Sequence, residues 1–524
     1  MYVSIYNTGK RGIVKDIPAY DLPPEAWSDG QNVRFKDLSA MKCNGYSLAA
    51  TPSVAPYALF YCPSEGVRYW VYAGLEKIYA IAGASQAEIT RASGNYAGGI
   101  LDIWNGAMFH GMLVITNGVD NPQVWNPPSL SQRLVDLPNW PANTVAKVIR
   151  PFKNFLIALD VTKSGTRDSR LVKWSHRADP GTLPSSWDET DASKDAGEVT
   201  LAEGEDQLID ALQLGDANII YTELSAWKQT LSGTSSIFNF RKAFETVGML
   251  AQGCGVRFGK RHFVVTQDDI VVHDGTTVQS VADVAMRKWF FQNLDSSTFY
   301  LTRAVAHRDN KEIWVCFPSS GALLDMALVW NWVENTWSIR ELPDIRSVTE
   351  AIYEIGATED LWDSGADLTW DEESTKQWGM GRMSPVNSIL MSPADTSGIV
   401  LVDSSYQAKG SNFRSYLERT DLAVAGMSRE GQIIVDPTKV KMLIGIAPRV
   451  IADAGTELTI YVGSQDDPGG DVDWAEPVTF KVGTDTYKCV YRTGRYLAVR
   501  FEETADAAWK LQGYDLDVVP LGEL

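Results

Sequence analysis

The sequence has little with which to build helices, membrane spans, disulfides or metal sites. Stretches with apolar residues at i, i+3, i+4 and i+7 are scarce, which argues against a helical architecture. No run of about 18 apolar residues occurs, and residues 1–24 have no apolar signal core, so neither a membrane span nor secretion is expected. The five cysteines (Cys43, Cys62, Cys254, Cys316 and Cys489) are odd in number, scattered and never in a CxxC pair. Zinc sites and disulfide frameworks need clustered or paired cysteines, so five buried free thiols are expected. The five histidines (His110, His176, His262, His273 and His307) fit no HExxH spacing, and no metal ligand set is expected. Basic charge is also short: 47 Lys and Arg against 66 Asp and Glu give a net charge of −19, which argues against a surface that grips nucleic acid phosphates.

Catalytic motifs are missing as well. Gly253-Cys254-Gly255-Val256-Arg257-Phe258-Gly259-Lys260-Arg261 has the wrong spacing for a phosphate loop, and Arg261 stands where a magnesium-binding Ser or Thr belongs. It reads as a turn entering the strand His262–Thr266. No GxSxG elbow is present. Asp268, Asp269, Asp363, Asp371, Glu372, Glu373 and Asp403 could supply the carboxylates of a glycan-cleaving propeller, but each reads as a solvated turn or loop acid. The expectation is a protein without catalytic residues or cofactor.

What the sequence does have is aromatic residues, 18 Trp and 20 Tyr among them, and short apolar runs between polar turns. Six runs read as strands: Arg68–Ala73, Met112–Thr116, Phe155–Leu159, Asn218–Thr222, His262–Thr266 and Glu312–Phe317. Each is followed by a second strand marked by an aromatic or His: Tyr79, Trp125, Trp174, Trp227, His273 and Trp330. Their separations of 46, 49, 53, 46 and 57 residues suit the blades of a β-propeller. A further unit at Ile399–Asp403 makes seven blades if an insertion precedes it, and six are the alternative. Residues 359–378 look like that insertion, an acidic loop with Trp362-Asp363 and Trp370-Asp371.

The pattern changes near residue 410. Lys441–Ile446, Leu458–Val462, Val478–Val482 and Tyr496–Phe501 are longer, alternating strands punctuated by glycines, which suggests an antiparallel sandwich or barrel. Pro18, Pro23 and Pro24 favour an extended segment lying on other structure. The expected plan is all-β. An extended segment spans 1–50 and packs on the C-terminal domain or a neighbouring subunit, a propeller spans 51–410, and a sandwich or platform domain spans 411–524.

The stretch Ile17-Pro18-Ala19-Tyr20-Asp21-Leu22-Pro23-Pro24-Glu25-Ala26-Trp27-Ser28-Asp29-Gly30-Gln31-Asn32-Val33-Arg34-Phe35 resembles the opening segment of tail-tube proteins of short-tailed bacteriophages, variously called stabilisation, tail hub or nozzle proteins. Val329–Ser338 resembles a strand pair of that family, the Trp-Asp insertion its linker, and Gly494–Phe501 with Trp509–Leu516 its closing strands. Leu38 departs from the pattern, which usually has a turn Gly there. The resemblance implies a homo-hexamer below the portal and adaptor rings. It would form the distal conduit through which double-stranded DNA leaves without specific binding, and a base for tail fibres or a tail needle. It also implies a virion protein assembled in the bacterial cytoplasm. The alternative is a host-receptor module that binds glycan. Trp362, Trp370 and Trp378 are candidates for either subunit-interface or glycan contact.

Overall fold

The computed structural model describes residues 2–232, 236–353 and 386–523. Short apolar strands alternating with tight turns give five four-stranded antiparallel sheets in succession. The first is built from Ala58–Ser64, Val67–Ala73, Ile78–Ala82 and Ser85–Glu88, each strand bonded to the next. Four more sheets of the same order follow, starting at Asn105–Phe109, Thr144–Phe152, Leu208–Leu214 and Gly255–Phe258. The last of these corrects one expectation: 255–258 is a strand in its own right, hairpinned onto Arg261–Val265, and not only a turn.

The next sheet has seven strands, because one of them serves two blades. The first part of Thr336–Tyr353 pairs with Leu324–Asn331 and completes blade 6. From Ile345 onward the same strand pairs with Val386–Pro393 and begins blade 7. Blade 7 continues with Ile399–Val402 and ends on Tyr46–Ala50, a strand supplied from the N-terminal side of the chain. The first strands of successive blades touch one another around the circle, and that of blade 7 touches Ala58–Ser64 of blade 1, so seven blades close the ring. The six apolar runs picked out in the sequence are the second strands of blades 1 to 6. The residues Tyr79, Trp125, Trp174, Trp227, His273 and Trp330 all lie on third strands.

Beyond the propeller, two six-stranded antiparallel sheets form a sandwich. One is centred on Lys439–Ala452 and Trp509–Glu523, the other on Tyr496–Glu503 and Glu457–Gln465. Alternation explains the packing: Leu443, Leu458, Ile460, Val499, Phe501, Leu516 and Val518 point inward and are fully buried. Residues 2–50, which form a strap over the other two parts, are more than an extended segment. Tyr2–Tyr6 pairs with Trp509–Glu523, Asp29–Gln31 pairs with Ser415–Leu422, and the hairpin Val33–Lys36/Ser39–Lys42 joins the first sheet through Met41 and Lys510. The prolines fall between these strands, around a 3-10 turn at Ala19–Asp21. There the buried Arg419 guanidinium donates to the carbonyls of Ala19 and Leu22, both at 2.8 Å.

Leu38 explains its own oddity. Asp37 and Leu38 have φ of 52° and 57°, the two left-handed residues of a two-residue hairpin turn that suits Gly at its second position.

Candidate functional site

Four parts of the molecule carry concentrated chemistry. The first is the junction between sandwich and propeller. Trp27, almost wholly buried, packs edge-on to Phe501 and tilted to Tyr514, both at 6.1 Å, and its indole N–H donates to the Thr8 carbonyl at 2.7 Å. The same segment reaches into blade 6. The Ile13 N–H donates to the Trp337 carbonyl (3.0 Å), and the Asn32 N–H to that of Ile339 (2.9 Å). Asp16 accepts the N–H groups of Lys288 and Trp289 (2.8 and 3.0 Å), satisfying donors at the start of the short helix Arg287–Asn293. Burial of side chains from strap, sandwich and blades 5 and 6 is continuous, so these parts share one core.

Beside this junction lies a buried charge cluster. Asp403, at the end of the blade 7 strand Ile399–Val402, accepts from Asn310 Nδ2 (2.6 Å), His307 Nε2 (3.1 Å), Arg340 Nη1 (3.3 Å) and Arg34 Nη2. Arg34 also forks onto Glu312, with Nη2 to Oε2 at 3.1 Å. Burial alone would raise the Asp403 pKa, but Arg34, His307 and Arg340 outweigh it and hold the carboxyl well below the usual range. Asp403 is therefore not the solvated acid expected from the sequence. It ties the closing blade to the strap and to blade 6. The cluster edges a cleft of about 210 Å³, which Asn44, Asp309, Ser388 and Ser404 also line.

The second part is the pair of outer sandwich faces, which are unlike each other. On one, the Arg500 guanidinium sits 4.8 Å from the Trp474 ring, 5.4 Å from Tyr461 and 5.8 Å from Tyr416. Its Nε donates to Glu418 at 2.6 Å, and Arg414, over Tyr416 at 4.2 Å, donates to Glu502 at 2.6 Å. Each arginine of this plate thus has its own carboxylate. The opposite face exposes Tyr2 (56%), Tyr6 (50%), Ile451 (55%) and Tyr491 (66%). Arg449 stacks on Tyr6 at 4.4 Å and its Nη2 donates to both Asp515 carboxylate oxygens at 2.8 and 2.9 Å.

The third part is the inner ring of first strands, where side chains link one blade to the next. Arg150 of blade 3 forks onto Asp210 of blade 4 at 2.7 and 2.9 Å and reaches the Gly106 carbonyl of blade 2 at 2.9 Å. Asp210 also accepts the Gly253 N–H at 3.1 Å.

The fourth part lies between blades 4 and 5, where Tyr221, His262 and His273 form a buried chain. The Tyr221 hydroxyl lies 2.8 Å from His262 Nδ1 and 2.6 Å from His273 Nε2. His273 Nδ1 accepts the Gly275 N–H (3.2 Å), so its Nε2 carries the proton and donates to Tyr221. His262 Nε2 donates to the Gln213 carbonyl (3.1 Å), leaving Nδ1 to accept from Tyr221. Both imidazoles are neutral in this arrangement, and burial pushes both down to about 4. The sequence offered no sign of this chain, because its members lie on separate strands.

Trp362, Trp370 and Trp378, with the acidic loop 359–378, lie outside the described residues. Four of the cysteines are buried, but Cys489 is exposed, contrary to expectation. It sits on the edge strand Lys488–Gly494, where alternation turns Val490 inward and Cys489 and Tyr491 outward. Among the described residues, no group of three or more His, Cys, Asp or Glu is placed to hold a metal, and no helix is long and apolar enough to cross a membrane.

No family model matches the sequence, and no curated protein matches it. Among solved structures, the crystal structure of the WD40 beta propeller domain of Doa1 is similar at 11% identity and a TM-score of 0.35. The likeness covers 68% of this chain and 96% of that one. The protein is a β-propeller fused to a β-sandwich, with the blade count given by its own strand pairing.

Proposed function

We propose that this chain is a structural subunit of a short bacteriophage tail, a ring-forming nozzle protein that conducts DNA and has no catalytic role. One observation carries the reading. The segments that resemble that family, Ile17–Phe35, Val329–Ser338, Gly494–Phe501 and Trp509–Leu516, are far apart in sequence, yet Trp27 meets Phe501 and Tyr514 directly, and Ile13, bridged to Trp27, bonds to Trp337. A junction that locks strap, sandwich and propeller into one body suits a part that must transmit load between neighbouring rings.

The two sandwich faces suit assembly. A closed ring needs head-to-tail contacts between unlike surfaces, and Tyr, Trp and Arg are the side chains that most often anchor interfaces. In this reading the plate Tyr416/Tyr461/Trp474/Arg500 of one copy meets the tyrosine face of the next, and six copies enclose the channel. In this reading DNA passes between copies and not through a single propeller, whose inner strands are linked across blades by pairs such as Arg150 and Asp210. Copies at −19 each would keep a duplex off the wall, provided a share of the acids faces the lumen. A lumen lined mainly by Lys and Arg would refute that role. Partners are further copies, the adaptor rings above, and fibres or a needle below.

The test is sedimentation and native mass measurement of the purified protein, alone and with adaptor-ring proteins. A hexamer is expected, and Tyr491→Lys or Trp474→Ala should return it to monomer. A chain that stays monomeric alone and with the adaptor rings overturns the reading. A second reading, host-glycan recognition, is favoured by the same plate, because its arginines are already neutralised and its rings could stack on an uncharged sugar. Glycan-array binding by the monomer, lost in Trp474→Ala or Trp370→Ala, would support it.

A further inference from the structure

Two arginines on the inner strands of blades 6 and 7 stand apart from the Arg150–Asp210 pair. Arg303, on the first strand of blade 6, donates through Nη1 to the carbonyls of Tyr300 (3.1 Å) and Thr302 (2.8 Å). Arg346, on the strand that begins blade 7, lies over the Tyr57 ring at 4.5 Å, and its buried Nε has no hydrogen-bond partner. Among the described residues, neither Arg303 nor Arg346 has a carboxylate within ion-pair distance. Burial lowers the Arg303 guanidinium below its ordinary value; Cys254 and Asp210 oppose this in part, while Arg150 adds to it.

Both arginines line one cavity of about 30 Å³ with Tyr57, Asp102, Trp104 and Leu301. Asp102 is engaged in accepting the Gly99 N–H at 2.8 Å. A cavity needs roughly 10–15 Å³ to hold one water. The space is of the order of a few waters and favours a monatomic guest over a larger oxyanion. Both arginines are partly buried, and a partly desolvated cation without a counter-ion is stabilised by a bound anion.

We propose that this cavity is a halide site, occupied in the cell by chloride held between Arg303 and Arg346. The ion completes the charge balance at the point where blades 6 and 7 meet blades 1 and 2. It acts as a structural counter-ion that helps hold the ring shut.

Thermal unfolding of the full chain in sodium chloride and in sodium gluconate at matched ionic strength tests this. A saturating rise in Tm with chloride is expected, and Arg346→Gln should abolish the chloride-dependent part. The second measurement is the ³⁵Cl NMR linewidth of wild-type protein, which requires no variant: excess broadening that bromide competes away is expected, while phosphate at the same ionic strength should leave it in place. Equal Tm in the two salts together with no excess linewidth would overturn the proposal. So would an Arg346→Gln protein that keeps both effects, or phosphate that competes as well as bromide.

Discussion

Acidification to pH 5 should loosen the contact between blades 4 and 5 before any carboxylate cluster fails. His262 and His273 are almost fully inaccessible, and both are pushed down to about 4 from an ordinary value near 6.5, burial being the main cause. The Gln213 carbonyl partly relieves His262 while Arg257 presses it further down, and His262 in turn presses His273, which Asp274 partly relieves. Since the folded-state value is the lower one, the unfolded chain takes up protons between about pH 6.5 and 4 while the folded chain does not. The histidine contribution is therefore complete above pH 7 and drains away as pH falls through that window. At about 1.4 kcal/mol per pKa unit, each ring forfeits about 2 kcal/mol by pH 5. Protonated His262 would also present Nδ1–H to a Tyr221 hydroxyl that already receives the His273 proton, leaving the phenol proton without an acceptor. Urea unfolding followed by tryptophan fluorescence at pH 7.5, 6 and 5, at constant ionic strength, measures the slope. The double variant His262→Gln/His273→Gln should be weaker at pH 7.5 but should lose most of the slope. A wild-type midpoint that does not move between pH 7.5 and 5, or a double variant that keeps the wild-type slope, refutes the reasoning.

Other perturbations give equally direct readings. Asp403→Asn leaves Arg34 and Arg340 buried around a neutral amide and should cost about 3–5 kcal/mol, seen as a large fall in Tm. Leu38→Gly relieves a left-handed backbone at an exposed turn and should raise stability by about 1 kcal/mol in urea melts. Thiol titration of the native monomer should find one fast-reacting cysteine, Cys489, with the other four appearing only on unfolding. Burial pushes the thiols of Cys62, Cys254 and Cys316 up to about 12, which suppresses the reactive thiolate.

The blades were legible because each repeats one local signal: an apolar second strand followed by a third strand carrying a ring. Trp125, Trp174 and Trp227 could be counted without knowing what they touch. The sandwich strands were legible for a related reason, since Leu458, Ile460 and Val462 alternate inward with a period of two. What could not be read depends on contacts across hundreds of residues. Nothing local at Tyr46–Ala50 says that it completes blade 7, and nothing near Asp403 says that Arg34 will neutralise it. Asp403 looks like any turn acid until the strap arrives. Cys489 was misjudged because burial on an edge strand depends on the face that each position takes, and Lys488–Gly494 is too short to announce its phase.

The strap also governs when this protein is able to fold. Residues 2–50 leave the ribosome early, yet their partners are made late: Arg34 meets Asp403 from 369 positions away, and the Thr8 hydroxyl donates to the Leu511 carbonyl from 503. During synthesis the early blades stand as an open stack, with Val3, Ile5, Trp27 and Phe35 lacking the surfaces that later bury them. Closure thus depends on contacts of very high sequence separation, a regime in which chains fold slowly and are prone to capture by one another. Two nascent copies that exchanged straps would satisfy the same pairings, so the device that seals one subunit is also the means by which neighbours could become entangled.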